Sequence, residues 1–199
     1  WFILQQDVDR PVGGVKQIYA VASIIADLGY SVSVVQGTSE FRPSWFSSSL
    51  SSVNTVSVKG FSFKQMNPAI DIVVIPETFL PLLPKLRHLM VVIFNQNMHY
   101  LFGEKFDFDP PSVLHLYSLP NIVSVLTVSS SDYNYALDSL PICPTKIHRV
   151  VNAIEDHFSF SFSTSRKIAY MPRKNSNHSK IVRCLIEDQT WFKNSSWSF

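Results

Sequence analysis

The stretch Phe2-Ile3-Leu4-Gln5-Gln6-Asp7-Val8-Asp9-Arg10-Pro11-Val12-Gly13-Gly14-Val15-Lys16-Gln17 begins as an apolar run, breaks at a Pro/Gly loop and resumes at helical spacing. It reads as strand, glycine-rich turn, helix. Val15, Ile18, Tyr19, Ala22, Ile25 and Ala26 recur at i, i+3, i+4 and i+7, and Gly29 supplies a stop at the C′ position. In open α/β sheets such a turn lies at the carboxyl end of a strand, where ligands bind. Glycines there let backbone N–H groups and the helix N-terminus approach an anion closely. Gly13 and Gly14 are thus candidates for holding a phosphate. Local sequence alone equally describes an ordinary turn in which Gly-Gly relieves strain, and by itself favours that simpler role.

A dinucleotide fingerprint is missing. No third glycine follows at G-x-G-x-x-G spacing, and the second strand, Val32-Ser33-Val34-Val35, ends in Gln36 rather than an acid. Nicotinamide cofactors are disfavoured.

The same alternation continues along the chain. A β-branched segment at Thr55 to Val58 is followed by Ile70 to Ile75, which ends at Pro76-Glu77-Thr78. A Pro-rich linker and a short helix over Leu82 to His88 lead into Met90-Val91-Val92-Ile93-Phe94, a continuous apolar run of the kind that forms a strand buried on both faces. Asn95-Gln96-Asn97-Met98-His99-Tyr100 then places polar side chains at that strand's carboxyl end. Ile122 to Val128 is a further strand. Ser129 and Asp132 stand at capping-box spacing ahead of a helix that ends near Leu140, and Thr145 to Val151 is the next strand. Strands separated by helical patterns at this spacing predict βαβ units and an α/β, doubly wound, mostly parallel sheet.

Composition bounds the function. The 199 residues are 46% hydrophobic and 13% aromatic, enough for a sizeable core, with a net charge of only +2 and no run of five basic residues. Nucleic acid is therefore not an expected partner. Cys143 and Cys184 form no C-x-x-C or Cys/His cluster, so neither a disulfide framework nor a zinc site is signalled, and a cytoplasmic location is the expectation. No apolar stretch reaches the length of a membrane span, which leaves at most a peripheral membrane contact.

Charge also marks a boundary. Residues 1 to 165 carry 10 Lys/Arg against 13 Asp/Glu, whereas residues 166 to 199 carry 7 against 2. After an alternating Phe/Ser segment a new strand begins at Lys167-Ile168-Ala169-Tyr170-Met171, followed by Pro172-Arg173-Lys174 and a helix from near Ser179. The expected organisation is a Rossmann-like domain over 1–157, a linker over 158–166 and the truncated start of a second Rossmann-like domain over 167–199. Both ends read as cut.

In order and spacing, these segments resemble the GT-B fold glycosyltransferases, specifically the retaining group known as glycosyltransferase family 4. The residues that carry the resemblance are Arg10-Pro11-Val12-Gly13-Gly14-Val15, Pro76-Glu77, Phe94-Asn95-Gln96-Asn97, Ser129-Ser130-Ser131-Asp132-Tyr133, Val151-Asn152-Ala153-Ile154-Glu155 and Ile168-Ala169-Tyr170-Met171-Pro172-Arg173-Lys174-Asn175. The resemblance implies two Rossmann-like domains facing across a cleft, a nucleotide-sugar donor, a glycan or lipid-linked glycan acceptor, and no metal or other cofactor. It assigns Gly13, Gly14, Arg173 and Lys174 to the donor diphosphate. Acceptor contacts fall to Glu77, Asn95, Gln96 and Asn97, with His99 near the position of a functional histidine in the family. Two departures stand out. The family's Asn-Gly-Ile-Asp turn is here Asn152-Ala153-Ile154-Glu155, and its pair of glutamates seven residues apart would fall beyond Phe199, so this chain is expected to be inactive alone.

Each of these residues also has a plainer reading. Arg173 and Lys174 suit a solvated loop, Glu77 a helix cap, and His99 a packed core histidine. For Asn95 and Asn97 turn chemistry suffices, whereas Gln96 has no such role and three adjacent amides point to hydroxyl recognition. Two rival functions therefore stay open: a non-catalytic flavodoxin-like α/β module that binds a ligand or protein, and, less well supported, a nicotinamide-dependent epimerase or reductase.

Overall fold

A computed structural model describes residues 1–4, 6–46, 50–102, 110–152, 167–169, 176–189 and 196–198. The chain divides into two compact units, Trp1–Ala153 and Ile154–Phe199.

The first unit is an α/β sheet of seven strands: β1 (Phe2–Ile3), β2 (Ser33–Gln36), β3 (Asn54–Ser57), β4 (Ile72–Pro76), β5 (Met90–Asn95), β6 (Ile122–Thr127) and β7 (Ile147–Arg149). Their order across the sheet is β3-β2-β1-β4-β5-β6-β7, and every pairing is parallel. This is a Rossmann-like arrangement. Because every pairing is parallel, all carboxyl ends share one edge, and the winding reverses between β1 and β4, the position at which open α/β sheets place a ligand crevice.

Period-two alternation splits the apolar side chains between two cores. Ile3, Val35, Val73, Ile75, Val91 and Ile93 enter one, while Phe2, Leu4, Val34 and Phe94 enter the other. Helix α1 (Gly13–Asp27) covers the second core with Ile18, Tyr19, Ala22 and Ala26. Its end is a Schellman turn. Gly29 sits at φ +92°, its N–H donates to the Ala26 carbonyl at 2.9 Å, and the Tyr30 N–H donates to the Ile25 carbonyl at 3.3 Å. The first core is closed by the segment after β4, by α2 (Pro110–Leu116) with Tyr117, and by α3 (Ser130–Ser139) through Ala136.

The segment expected as a helix over Leu82 to His88 is instead a 3-10 stretch over Glu77–Lys85, kinked at Phe79. Pro81 and Pro84 remove the N–H groups an α-helix would need and clash with the preceding turn. Leu80, Leu83, Leu86 and Leu89, all at most 1% exposed, follow the three-residue repeat that suits the tighter helix. β4 starts later than expected, at Ile72, because Asn67 and Asp71 close a turn before it: the Asn67 N–H donates to the Asp71 carboxylate at 2.7 Å. At Thr145 the expected strand is first a 3-10 turn, Pro144–Lys146.

The second unit contains β8 (Lys167–Ala169), α4 (Ser176–Glu187) and β9 (Ser196–Ser198), with β8 and β9 paired in parallel. This is one βαβ unit, with its helix starting three residues before the expected Ser179. The expected linker over 158–166 lies outside the described residues.

Candidate functional site

The carboxyl edge of the first sheet brings five of the sequence-predicted residues together: Gly14, Glu77, Asn95, Gln96 and Asn97. Glu77 follows β4 and is only 2% exposed. Its carboxylate faces the turn after β5, accepting the Gln96 N–H at 3.0 Å and a second backbone hydrogen bond from Asn97. Burial pushes the Glu77 carboxyl up to about 7, the nearby Asp132 carboxylate adds to the rise, and the backbone N–H groups of Gln96, Asn97 and Glu77 itself oppose it. Glu77 therefore fastens the start of the segment after β4 to the turn after β5.

Asn95 is fully buried beneath the same turn. Its Oδ1 accepts the Tyr117 hydroxyl at 3.3 Å, and its Nδ2 donates to the Met98 sulfur. Burial raises the Tyr117 phenol well above its ordinary value. Asp132 supports the far side: its carboxylate takes the Ser129 hydroxyl at 2.8 Å, and the Asp132 N–H returns to Ser129 Oγ at 3.0 Å. The cap anticipated from Ser129 and Asp132 is thus present, with the Ser hydroxyl rather than its N–H as the second donor.

Gln96 crosses the crevice. Its Nε2 donates to the Gly14 carbonyl at 3.1 Å, joining the β5 turn to the first turn of α1. A Cβ on Gly14 would lie 2.4 Å from Gln96 Oε1, whereas a Cβ on Gly13 would meet nothing within 4 Å. The close backbone approach at Gly14 is used by the glutamine amide itself. Gln96 and Asn97 are half-buried, in contrast to Glu77 and Asn95, which turn inward. The side chain of His99 and residues Arg173 and Lys174 lie outside the described residues.

Two neighbouring features were not read from the sequence. Asp7, in the loop after β1, accepts the Thr38 N–H at 3.1 Å and the Thr38 hydroxyl at 2.9 Å, tying that loop to the one after β2. A Cβ on Gly37 would lie 2.8 Å from the Asp7 carboxyl carbon, so glycine is required for this approach. Gln36, noted only as a missing acid, is fully buried; it accepts the Tyr19 hydroxyl at 2.7 Å and donates to the Thr38 and Phe41 carbonyls at 2.8 Å. Burial pushes the Tyr19 phenol up to about 12, with the Asp7 charge adding to the rise. Gln36 therefore orders the loop beyond β2 and presents no polar group to the crevice.

Farther along the same edge, Arg149 donates to the Ser130 hydroxyl beside a pocket of about 530 Å³ lined also by Asn134 and His148. Both cysteines are free, and among the described residues no three of His, Cys, Asp or Glu gather as metal ligands. Among the described residues no helix is long and apolar enough to cross a membrane. No protein-family model matches the sequence, and no curated protein matches it either.

Proposed function

We propose that this chain belongs to a retaining glycosyltransferase that moves a sugar from a nucleotide-sugar donor to a glycan or lipid-linked glycan, with the first unit on the acceptor side. The observation that carries the reading is the grouping of Gly14, Glu77, Gln96 and Asn97 at the switch point of an all-parallel sheet. That is where open α/β folds place ligands. The order of sequence segments resembling family 4 supports the same reading, because it runs through these residues.

The residues divide by orientation. Gln96 and Asn97 are half-buried and carry amides, groups that donate to and accept from sugar hydroxyls once Gln96 Nε2 leaves the Gly14 carbonyl. Glu77 and Asn95 hold the turn that carries them, so they act as positioning residues. In the transfer, the acceptor oxygen bonds to the sugar C1 while the C1–O bond to the nucleoside diphosphate breaks, and the hydroxyl proton leaves with the diphosphate. Negative charge grows on the leaving group. The N–H groups at the start of α1 suit such a charge, and the family resemblance gives Arg173 and Lys174 the same task.

The test is calorimetric titration with UDP, GDP and ADP, with FMN and NAD as controls. One nucleoside diphosphate should bind at least about tenfold more tightly than FMN, a difference of ~1.4 kcal/mol. Preferential FMN binding would replace the proposal with a flavodoxin-like module, and preferential NAD binding would restore the nicotinamide reading.

A further inference from the structure

We propose that the amino edge of the first sheet holds a second binding site, for a single molecule of an anionic amphiphile. Its place is opposite the crevice just described. The segment Phe61 to Pro68 precedes β4 and the segment Leu82 to His88 precedes β5, and between them lies a pocket of about 820 Å³. That volume is in the ~300 to 1,000 Å³ range of small-molecule sites.

The lining has two parts. Phe61, Phe63 and Met66 provide an apolar body. The Phe61 and Phe63 rings meet edge to face with centroids 5.1 Å apart, and Phe61 also packs on Trp1 at 5.6 Å. Gly60, at φ +88°, turns the chain so that the Phe61 N–H reaches the Val58 carbonyl at 3.3 Å and the two phenylalanines follow directly. The rim is basic: Lys64, Lys85 and His88 line the pocket, and among the described residues no carboxylate does. His88 Nε2 lies 3.4 Å from the Phe63 carbonyl, joining the two segments.

Both lysines are exposed, and among the described residues neither has a salt-bridge partner. An anion at this rim meets two lysine ammonium groups, while its apolar part covers the phenylalanine rings of the open pocket. A cationic or neutral amphiphile gains only the second term. The ligand class is therefore an alkyl or aryl group bearing one phosphate or carboxylate, bound as a monomer.

The probes are decyl phosphate and decyltrimethylammonium below their micelle concentrations, titrated into the 199-residue chain with amide NMR shifts as the readout. Decyl phosphate should bind about tenfold more tightly than the cation, a difference of ~1.4 kcal/mol, and should shift Ser62 to Met66 and Lys85 to His88. The variant K64E/K85E, altered only at exposed positions, should keep its melting temperature and reverse the preference. Equal binding of the two head groups, unchanged preference in the variant, or shifts confined to Gly14 and Gln96 would each overturn the proposal. So would retention on phosphatidylglycerol vesicles without binding of monomeric decyl phosphate, which would make the surface a membrane contact.

Discussion

Glu77 offers the sharpest test of the site's construction. It is a carboxyl group 2% exposed and held up at about 7, against an ordinary value of 4.5. The folded state therefore keeps the proton to higher pH than the unfolded chain does. Between about 4.5 and 7 unfolding releases a proton, so stability falls as pH rises; the contribution is complete below 4.5 and gone above 7. Each factor of ten is ~1.4 kcal/mol, which makes the total loss about 3 kcal/mol, or roughly 6 to 12 °C in melting temperature for a chain of this size.

Glu77→Gln removes the titration and leaves the shape. Its carbonyl still accepts from backbone N–H groups, and its NH₂, a donor, cannot replace the second oxygen as an acceptor, at a constant cost of ~1 to 3 kcal/mol. Urea unfolding of both proteins from pH 4.5 to 8 should show wild type ahead at the acid end and the difference shifting by about 3 kcal/mol toward the variant, which draws level or moves ahead by pH 8. The other carboxylates titrate in both proteins, so the difference isolates Glu77. Parallel pH profiles would refute the reasoning, because they would mean that Glu77 ionises in the folded chain as readily as in water.

Other expectations follow from the same geometry. Gly14→Ala should cost no more than ~0.5 to 1.5 kcal/mol, because the colliding atom is the end of a flexible amide, and in a Gln96→Ala background it should cost nothing further; additive losses in thermal melts would contradict the contact. Tyr19→Phe should destabilise by ~1 to 3 kcal/mol by leaving the buried Gln36 oxygen without its donor, measured by urea unfolding at pH 7. Under the proposed function, Arg173→Ala should weaken nucleoside diphosphate binding by about 10- to 100-fold, from a charge-assisted bond of ~1.5 to 3 kcal/mol, and unchanged calorimetric affinity would return Arg173 to a solvated loop.

The sheet was legible because its central strands are buried on both faces. Met90 to Phe94 reads as a continuous apolar run, and β5 spans Met90–Asn95. The short helix expected over Leu82 to His88 is a 3-10 stretch over Glu77–Lys85 because Pro81 and Pro84 lie inside it, and the burial of Leu80, Leu83, Leu86 and Leu89 at three-residue spacing emerges only with that winding. At the site, the sequence could place polar residues at strand ends but not aim them. Glu77 turns inward toward backbone donors 19 and 20 residues away, Asn95 turns toward Tyr117, 22 residues away, and Asp7 meets Thr38, 31 residues away. No local pattern encodes those partners. The acid missing at Gln36 was visible, whereas its bond to Tyr19 depended on α1 packing against β2.

Gln96 joins two of these arrangements in one residue. Its backbone N–H is held by Glu77, and its side-chain amide is held by Gly14. A ligand that needs the backbone at Gly14 must first move that amide, which costs one neutral hydrogen bond, about 1 kcal/mol, while a diphosphate at a helix N-terminus gains charge-assisted bonds of ~1.5 to 3 kcal/mol each. The exchange therefore runs in favour of the anion. The turn beneath does not have to move with it, because Glu77 grips Gln96 by its backbone and leaves the side chain free to swing. On the proposed function this divides the labour at the crevice: a buried carboxyl fixes where the amide stands, and a light contact to Gly14 lets substrate decide where it points.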